Sequence, residues 1–253
     1  MLRIDLNCDM GESFKLTGLE NDTALLNYVT SANIACGFHA GDPITMAQTV
    51  KVAVAKGVAI GAHPSYHDIE GFGRRQQDLS LDEIEALVLY QTGALSAFAR
   101  ANGTELTHVK PHGALYNLAA VKPTVARAIA LGVVAFSRDV ILVGLATAPA
   151  FLEEGRRVGL RVAGEAFIDR AYNPDGTLVS RQLPNSLLTD PEVAATQAMG
   201  LVQGHVQASD GSILKLQADT LCIHGDGPTA LAIAKAVREV LQQAGVKVCS
   251  LNH

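Results

Sequence analysis

Short runs of strand-forming residues alternate with longer helical runs along the chain, and this alternation limits the possible folds more than any other feature of the sequence. Each short run is followed by a polar or glycine-containing turn, as is typical of strands in a parallel sheet. The runs cover residues 3–6, 31–35, 58–62, 106–110, 140–145, a run beginning at 161, 220–223 and a short terminal run at 246–249. Repeated strand-then-helix units predict a parallel sheet covered by helices.

Capping residues mark the ends of several helices between these strands. Asp42 followed by Pro43 predicts a helix start, and Ser80 with Glu83 has the pattern of a capping box. Asp190 opens a further helix, and Asp226 is predicted either to cap the last helix or to belong to the polar strand ends described below. The predicted helices cover residues 19–29, 43–55, 81–101, 121–136, 149–156, a segment opening at 190–192, and 228–243.

Two architectures accommodate such units, a closed β/α barrel and a doubly wound open sheet. In an open sheet, functional residues collect beside one topological switch point, whereas in a barrel they follow many strands. Polar residues follow nearly every predicted strand here. The length of 253 residues also suits a single barrel. We therefore predict an α/β fold, a parallel β/α barrel forming one domain over residues 1–253.

Composition and charge exclude several classes of partner. The net charge of −5 and the absence of runs of like charge argue against nucleic-acid binding, which needs clustered Lys and Arg. No apolar stretch reaches membrane-spanning length and none resembles a signal peptide, so a cytoplasmic protein with no membrane contact is expected. The four cysteines show no metal-type or disulfide-type spacing, and we expect small buried side chains in a reducing compartment.

The first two predicted strands carry polar residues that are expected to point toward the barrel interior or its rim. Asp5 and Asn7 are two residues apart, so in a strand they face the same side, and Asp9 is predicted at the barrel rim. Asn33 is predicted to point inward from the second strand. His39 lies in the turn beyond it, among glycines that let the backbone approach a ligand closely. Taken alone, the first segment could equally be a loop of turn-forming residues.

The later strands end in imidazole, amine and carboxylate groups. Each histidine by itself is more often structural than catalytic, but core packing alone would place Val, Ile and Leu at these positions. Six of the eight histidines fall at or just after a predicted strand: His39, His63, His67, His108, His112 and His224. Lys110 is predicted to project into the barrel mouth, and Glu165 follows the sixth strand. The pattern predicts an active site built from strand ends.

A glycine-flanked pair of arginines, Arg74 and Arg75, could bind a carboxylate or phosphate through bidentate hydrogen bonds. A solvated loop with one arginine bonded to backbone carbonyls explains the pair nearly as well. The sequence contains no P-loop, no G-x-S-x-G elbow and no H-E-x-x-H helix. A thiolate nucleophile at Cys8 or Cys36 is a minor alternative, because burial would raise the thiol pKa. Carboxylates, imidazoles and a lysine together suit amide hydrolysis.

Several long blocks resemble the signature blocks of the LamB/YcsF family. They are residues 5–12 (DLNCDMGE), 31–42 (SANIACGFHAGD), 61–64 (GAHP), 71–75 (GFGRR), 109–117 (VKPHGALYN), 169–172 (DRAY) and 224–226 (HGD). The resemblance runs in order over nearly the whole chain. It implies a seven-stranded β/α barrel of the polysaccharide-deacetylase kind. His67 stands where the family has another residue, which makes it a poor catalytic candidate.

The resemblance also implies a reaction. The chain is expected to act in an ATP-dependent 5-oxoprolinase, which hydrolyses the lactam of 5-oxo-L-proline to L-glutamate with ATP as co-substrate and with partner subunits B and C. We hypothesise that Asp9 is the general base and that Lys110 stabilises the oxyanion. His39 and His63 would act as acid/base groups or, with Asp9, as ligands of a divalent metal.

Further residues complete the expected site. Glu165 is expected among the catalytic residues, and the substrate-binding residues are expected to be Asn7, Asn33, Arg74, Arg75 and His112. Two other functions remain open at this point: a stand-alone metal-dependent amidase or deacetylase acting on an N-acyl sugar, and a non-catalytic lactam-binding subunit.

Overall fold

Seven parallel strands close into a barrel in the computed structural model, which describes residues 2–225 and 227–252. The strands and helices follow one another as β1 Arg3–Met10, α1 Leu19–Leu25, β2 Ser31–Ala35, α2 Pro43–Ala55, β3 Ala59–His63, α3 Leu81–Ala101, β4 His108–Val109, α4 Gly113–Val121, α5 Pro123–Phe136, β5 Ile141–Leu145, α6 Pro149–Arg157, β6 Arg161–Phe167, α7 Pro191–Val202, β7 His205–Gln207, β8 Ile213–Lys215, β9 Thr220–Ile223, α8 Ala230–Gln243 and β10 Lys247–Val248.

Strand β9 closes the barrel because it pairs in parallel with both β6 and β1. Thr220 lies opposite Asp5 on one side and opposite Glu165 on the other. The short β10 adds to the start of β1, and β7 and β8 form a separate antiparallel hairpin. Closure confirms the predicted barrel and excludes the doubly wound open sheet, in which the edge strands would stay unpaired.

The caps that the sequence indicated set the starts of three helices. Asp42 accepts hydrogen bonds from the backbone of Ile44 and Thr45 at the start of α2. Ser80 and Glu83 form both bonds of the capping box at α3, and Asp190 caps α7. In each case a side-chain oxygen satisfies backbone N–H groups that have no partner within the helix, so the local sequence suffices to set the boundary.

Other boundaries differ from those predicted. Strand β1 continues to Met10, helix α4 occupies a segment for which the sequence pattern predicts no helix, and the β7–β8 hairpin was not predicted. Pro123 separates α4 from α5, because it occupies the first turn of the second helix and cannot continue the first. Helix α8 begins at Ala230 rather than Pro228, with Thr229 at its N-cap position. The predicted cap Asp226 lies outside the described residues.

The two faces of β1 have opposite character. Leu6, Cys8 and Met10 are fully buried in the main hydrophobic cluster beneath the helices. The alternating Asp5 and Asn7 point across the barrel interior, where they bond to side chains of other strands. Asp5 accepts hydrogen bonds from Thr30, Ser31 and Thr220, and burial raises its pKa. The barrel is therefore filled by a hydrogen-bonded polar network that leads upward to the strand ends.

Among the described residues, no helix combines the length and apolar character needed to cross a membrane.

Candidate active site

A cavity of about 490 Å³ lies at the carboxyl ends of the barrel strands. Its size falls in the range of small-molecule sites, about 300–1,000 Å³. Polar lining residues come from strand ends and from the loops that follow them, and include Asp9, Glu12, His63, Arg74, Lys110, His112, Arg170, Arg181 and His224. This is the face on which β/α barrels carry their active sites.

Lys110 lies at the base of this cavity between two carboxylates. Its Nζ is 2.8 Å from Asp9 Oδ1 and 2.8 Å from Glu165 Oε1, and the side chain is only 2% exposed. Burial alone would lower the pKa of Lys110, but the carboxylates of Asp9 and Glu165 outweigh it and hold the pKa well above its usual value. Lys110 is therefore a buried ammonium ion that can stabilise negative charge.

Asp9 is correspondingly held as a carboxylate. Burial raises its pKa, but the charges of His63 and Lys110 outweigh burial and bring the pKa well below its usual value. Asn33 Nδ2 also donates to Asp9 Oδ1 at 2.9 Å. Asp9 Oδ1 is therefore already occupied by two donors, Lys110 and Asn33.

Asn7 and Asn33, expected to bind substrate, lie beneath the cavity and do not line it. Asn33 donates to Asn7 Oδ1 at 2.7 Å as well as to Asp9, and His108 Nε2 lies 2.7 Å from Asn33 Oδ1. These contacts fix the position of the Asp9 carboxylate. Glu165 is also fully buried, where Tyr116 donates to its Oε2 at 2.8 Å.

Three histidines and one glutamate converge beside Asp9. Glu12 Oε1 lies 3.1 Å from His39 Nε2, 3.2 Å from His112 Nδ1 and 3.8 Å from His63 Nε2. The rings of His39 and His112 stack with centroids 4.0 Å apart. Burial lowers the pKa of His39 to about 3 and brings the pKa of His112 well below its usual value. His63, His112 and Glu12 line the cavity, and His39 lies behind them.

His224, which also lines the cavity, pairs with the buried carboxylate of Asp169. His224 Nδ1 is 2.9 Å from Asp169 Oδ1, and the His224 backbone N–H donates to Asp169 Oδ2 at 2.9 Å. The imidazole also stacks on Phe167. Burial raises the pKa of Asp169, but His224 outweighs it and lowers the pKa overall. Since Nδ1 faces a carboxylate, Nε2 is the ring nitrogen left for acid–base chemistry.

The two adjacent arginines, Arg74 and Arg75, lie in different surroundings. Arg74 lines the cavity with its guanidinium 4.8 Å from the centre of the Phe72 ring. Arg75 instead pairs with Asp68, is 62% exposed and does not line the cavity. The expectation that Arg75 binds substrate therefore has no support from its position. Arg75 pairs with Asp68 within the same loop, and the sequence pattern of the loop did not predict this pairing.

The cysteines do not form a nucleophilic site. Cys8, Cys36 and Cys222 are buried and unpaired, and burial raises the pKa of Cys36 to about 12. Cys222 Sγ is 3.1 Å from Lys110 Nζ, yet burial still holds its pKa well above the usual value. Thiols of this kind are poor nucleophiles at neutral pH.

Several cavity residues were not among the predicted site residues. Glu12 lies three residues beyond Asp9, just after the end of β1. Its position among the polar residues that follow this strand could have indicated it. His224 was recognised only as a strand-end residue. Arg170, Arg181 and Tyr116 reach the site from a long loop and from α4, and no local pattern indicates where they point. His67, already a poor candidate, is exposed and lies outside the cavity lining.

The fold and the site define a parallel β/α barrel with a charged, histidine-rich cavity at the carboxyl ends of its strands. The chain belongs to the LamB/YcsF family, whose pattern it matches over residues 4–253. A relative from Methylococcus capsulatus, named as the A subunit of 5-oxoprolinase, is 53% identical over 250 residues, covering 98% of this chain and 96% of its own.

Solved structures agree with this assignment. A lactam utilization protein from Thermus thermophilus matches with a TM-score of 0.92 at 49% identity, covering 99% of this chain and 100% of that one. A peptidoglycan deacetylase from Bacillus subtilis matches with a TM-score of 0.50 at 13% identity, covering 99% of this chain and 88% of that one. At so low an identity the second likeness concerns the fold alone.

Proposed function

We propose that this chain is the A component of an ATP-dependent 5-oxoprolinase, which hydrolyses the lactam of 5-oxo-L-proline to L-glutamate in the cytoplasm together with subunits B and C. The name of the Methylococcus relative and that of the Thermus structure support the substrate class. The observation that carries the proposal is the Lys110 ammonium ion, held between Asp9 and Glu165 at the base of the cavity.

Lactam hydrolysis needs such a group because a five-membered cyclic amide is unreactive. Negative charge develops on the carbonyl oxygen as water attacks, and a fixed cation in a water-poor site stabilises that charge. The two carboxylates hold Lys110 protonated and in place. Asp9, whose Oδ1 accepts from Lys110 and Asn33, is assigned this positioning role instead of the role of general base.

His224 is the better candidate for the proton transfers. Its imidazole lines the cavity, and Asp169 orients it through Nδ1. From Nε2 it would accept a proton from the attacking water and return it to the ring nitrogen as the C–N bond breaks. Arg74, on the cavity wall, would bind the substrate carboxylate.

ATP supplies the driving force in this proposal. The oxyanion that forms when a first water attacks the lactam carbon takes the γ-phosphoryl group of ATP, which releases ADP. The ring C–N bond then breaks as the nitrogen gains a proton and the added hydroxyl group loses one, leaving an acyl phosphate. A second water releases phosphate and gives L-glutamate.

The test is reconstitution of the chain with subunits B and C, measuring 5-oxoproline-dependent ADP and glutamate formation. Lys110→Met should lower kcat by about 100- to 1,000-fold, the range for loss of an oxyanion-stabilising group. His224→Gln should lower it by about 100- to 10,000-fold and flatten the pH–rate profile, because it removes a general acid–base. The exposed Lys122→Met is the matched control and should be fully active.

Other results would support one of the two competing functions instead. Turnover of an N-acetyl sugar without ATP, abolished by a chelator, would indicate a stand-alone deacetylase. If 5-oxoproline bound normally and both variants turned over at the unchanged rate, the chain would be a non-catalytic binding subunit. Either result would refute the catalytic proposal.

A further inference from the structure

The hydrogen bonds of two site histidines determine which of their ring nitrogens carry protons. His63 Nδ1 lies 2.7 Å from the backbone oxygen of Lys110, and His112 Nε2 lies 2.9 Å from that of Phe72. A carbonyl oxygen only accepts hydrogen bonds, so both of these nitrogens must be donors. In the neutral rings, the opposite nitrogens, His63 Nε2 and His112 Nδ1, therefore carry bare lone pairs.

These two lone pairs face each other. His63 Nε2 and His112 Nδ1 are 2.9 Å apart, and Glu12 Oε1, another acceptor, lies 3.2 Å from His112 Nδ1. Acceptor atoms at such distances repel one another unless a positive charge lies among them. His39 Nε2 also approaches the same glutamate oxygen, and the buried Nδ1 of His39 has no hydrogen-bond partner among the described residues.

A proton can bridge two of these atoms, but four converge. Glu12, His39, His63 and His112 each offer one ligand atom, and all four atoms lie within 4.8 Å of one another. Bonds of about 2.0–2.2 Å in a tetrahedral site place ligand atoms about 3.4 Å apart. The distances of 2.9, 3.1, 3.2 and 3.8 Å among these atoms bracket that spacing. The stacked rings of His39 and His112 must tilt from their parallel arrangement for both nitrogens to point at one ion.

We propose that Glu12, His39, His63 and His112 bind a divalent first-row transition-metal ion such as Zn²⁺ at the wall of the cavity. Three imidazole nitrogens and one carboxylate oxygen suit Zn²⁺ and its neighbours, whereas Mg²⁺ and Ca²⁺ prefer all-oxygen sites. The two backbone carbonyls that orient His63 and His112 are the outer partners usual for metal-binding histidines. Four protein ligands fill a tetrahedral site, so the ion would fix the cavity wall in place.

This ligand set differs from the one expected from the sequence, which was Asp9, His39 and His63. Asp9 Oδ1 is occupied by Lys110 and Asn33. Asp9 Oδ2 lies 3.4 Å from His63 Nε2, but Asp9 does not belong to the group whose ligand atoms all lie within 4.8 Å of one another. Glu12 and His112 supply the missing ligands. The metal site lies in the wall of the proposed active site and rests on that proposal, but metal binding can be tested without measuring turnover. A failure to bind metal and a failure of the proposed reaction are therefore distinguishable.

The experiment uses the full chain, stripped with a chelator and titrated with Zn²⁺ by calorimetry, followed by elemental analysis after dialysis. We expect about one Zn²⁺ per chain and a raised Tm on loading. Glu12→Gln and His112→Gln should each weaken Zn²⁺ binding on the order of 100-fold or more, beyond the loss seen for outer-shell partners. His67→Gln, which removes an exposed histidine outside the cluster, should bind as the unchanged chain does.

Circular dichroism establishes that each variant is folded before its affinity is compared. If the stripped chain takes up no Zn²⁺, or if both ligand variants bind it as tightly as the unchanged chain, the proposal is wrong and a shared proton separates the histidines. Asp9→Asn should retain the metal. Loss of metal in Asp9→Asn but not in Glu12→Gln would also overturn the assignment.

Discussion

At the scale of single residues, the barrel interior positions its charged groups through amides and a neutral histidine. Asn33 uses its Nδ2 for Asn7 and Asp9, so its Oδ1 is left to accept from His108 Nε2. The orientation of the amide thereby fixes the tautomer of the imidazole. Burial, followed by the charges of Lys110 and His63, lowers the pKa of His108 to about 3.

This neutral histidine predicts a dependence of stability on pH. In the unfolded chain a histidine titrates near 6.5, so below that value the unfolded state binds a proton that folded His108 does not. His108 therefore lowers the free energy of unfolding by about 1.4 kcal/mol per pH unit as the pH falls from 6.5 toward 3.

Urea unfolding of the unchanged chain and of His108→Gln, at about pH 7 and about pH 5, measures the effect. The variant should lose about 2 kcal/mol less stability over this interval. His67→Gln serves as the control and should lose as much as the unchanged chain. Equal losses in all three chains would show that His108 accepts a proton in the folded state.

At the scale of elements, helices α3 and α5 pack closely because a glycine lies at their contact. A Cβ atom at Gly132 of α5 would lie 2.6 Å from the backbone oxygen of Glu85 in α3 and 3.0 Å from Val88 Cβ. Gly93 of α3 has no heavy atom within 4 Å of the equivalent position. Both glycines are interior helical positions, so propensity alone does not distinguish them.

The same substitution at the two glycines should have opposite effects. Gly93→Ala should stabilise the chain by about 0.5–1 kcal/mol, because alanine loses less conformational entropy than glycine in a helix. Gly132→Ala should destabilise it by about 1–3 kcal/mol, because the added methyl group forces the helices apart. Denaturant unfolding of both variants measures this, and a gain in stability for Gly132→Ala would disprove the close-packing argument.

At the scale of the whole molecule, closure of the barrel joins the first and last parts of the chain. Strand β9 pairs with β1, and one hydrophobic cluster contains residues from all the barrel strands and from helices along the chain. Elements that share one core and one closed sheet lose their packing together. That the chain forms a single domain over residues 1–253 stays a prediction.

We therefore expect one cooperative unfolding transition. The chain has no tryptophan, and its buried tyrosines Tyr66, Tyr116 and Tyr172 are spread over both halves, so tyrosine fluorescence reports on each half. Its unfolding curve in urea should coincide with that of circular dichroism near 222 nm. Two separated transitions would indicate that the chain contains two units.

Features that depend on neighbours along the chain could be predicted from the sequence. Caps at Asp42, Ser80 and Asp190 set three helix starts, strands at 31–35 and 220–223 were predicted at their observed bounds, and polar residues at the strand ends indicated the barrel mouth. These signals are local, because capping and alternation act within a few residues.

Which of those polar residues come into contact depends on the three-dimensional fold. Lys110 could be placed at the mouth from its position after β4, but its contacts with Asp9 and Glu165 depend on barrel closure and strand register. The same closure brings Glu12 to His112, whereas Arg75 is taken by Asp68 in its own loop. The final partner of a charged side chain depends on distances across the whole fold, which no short stretch of sequence specifies.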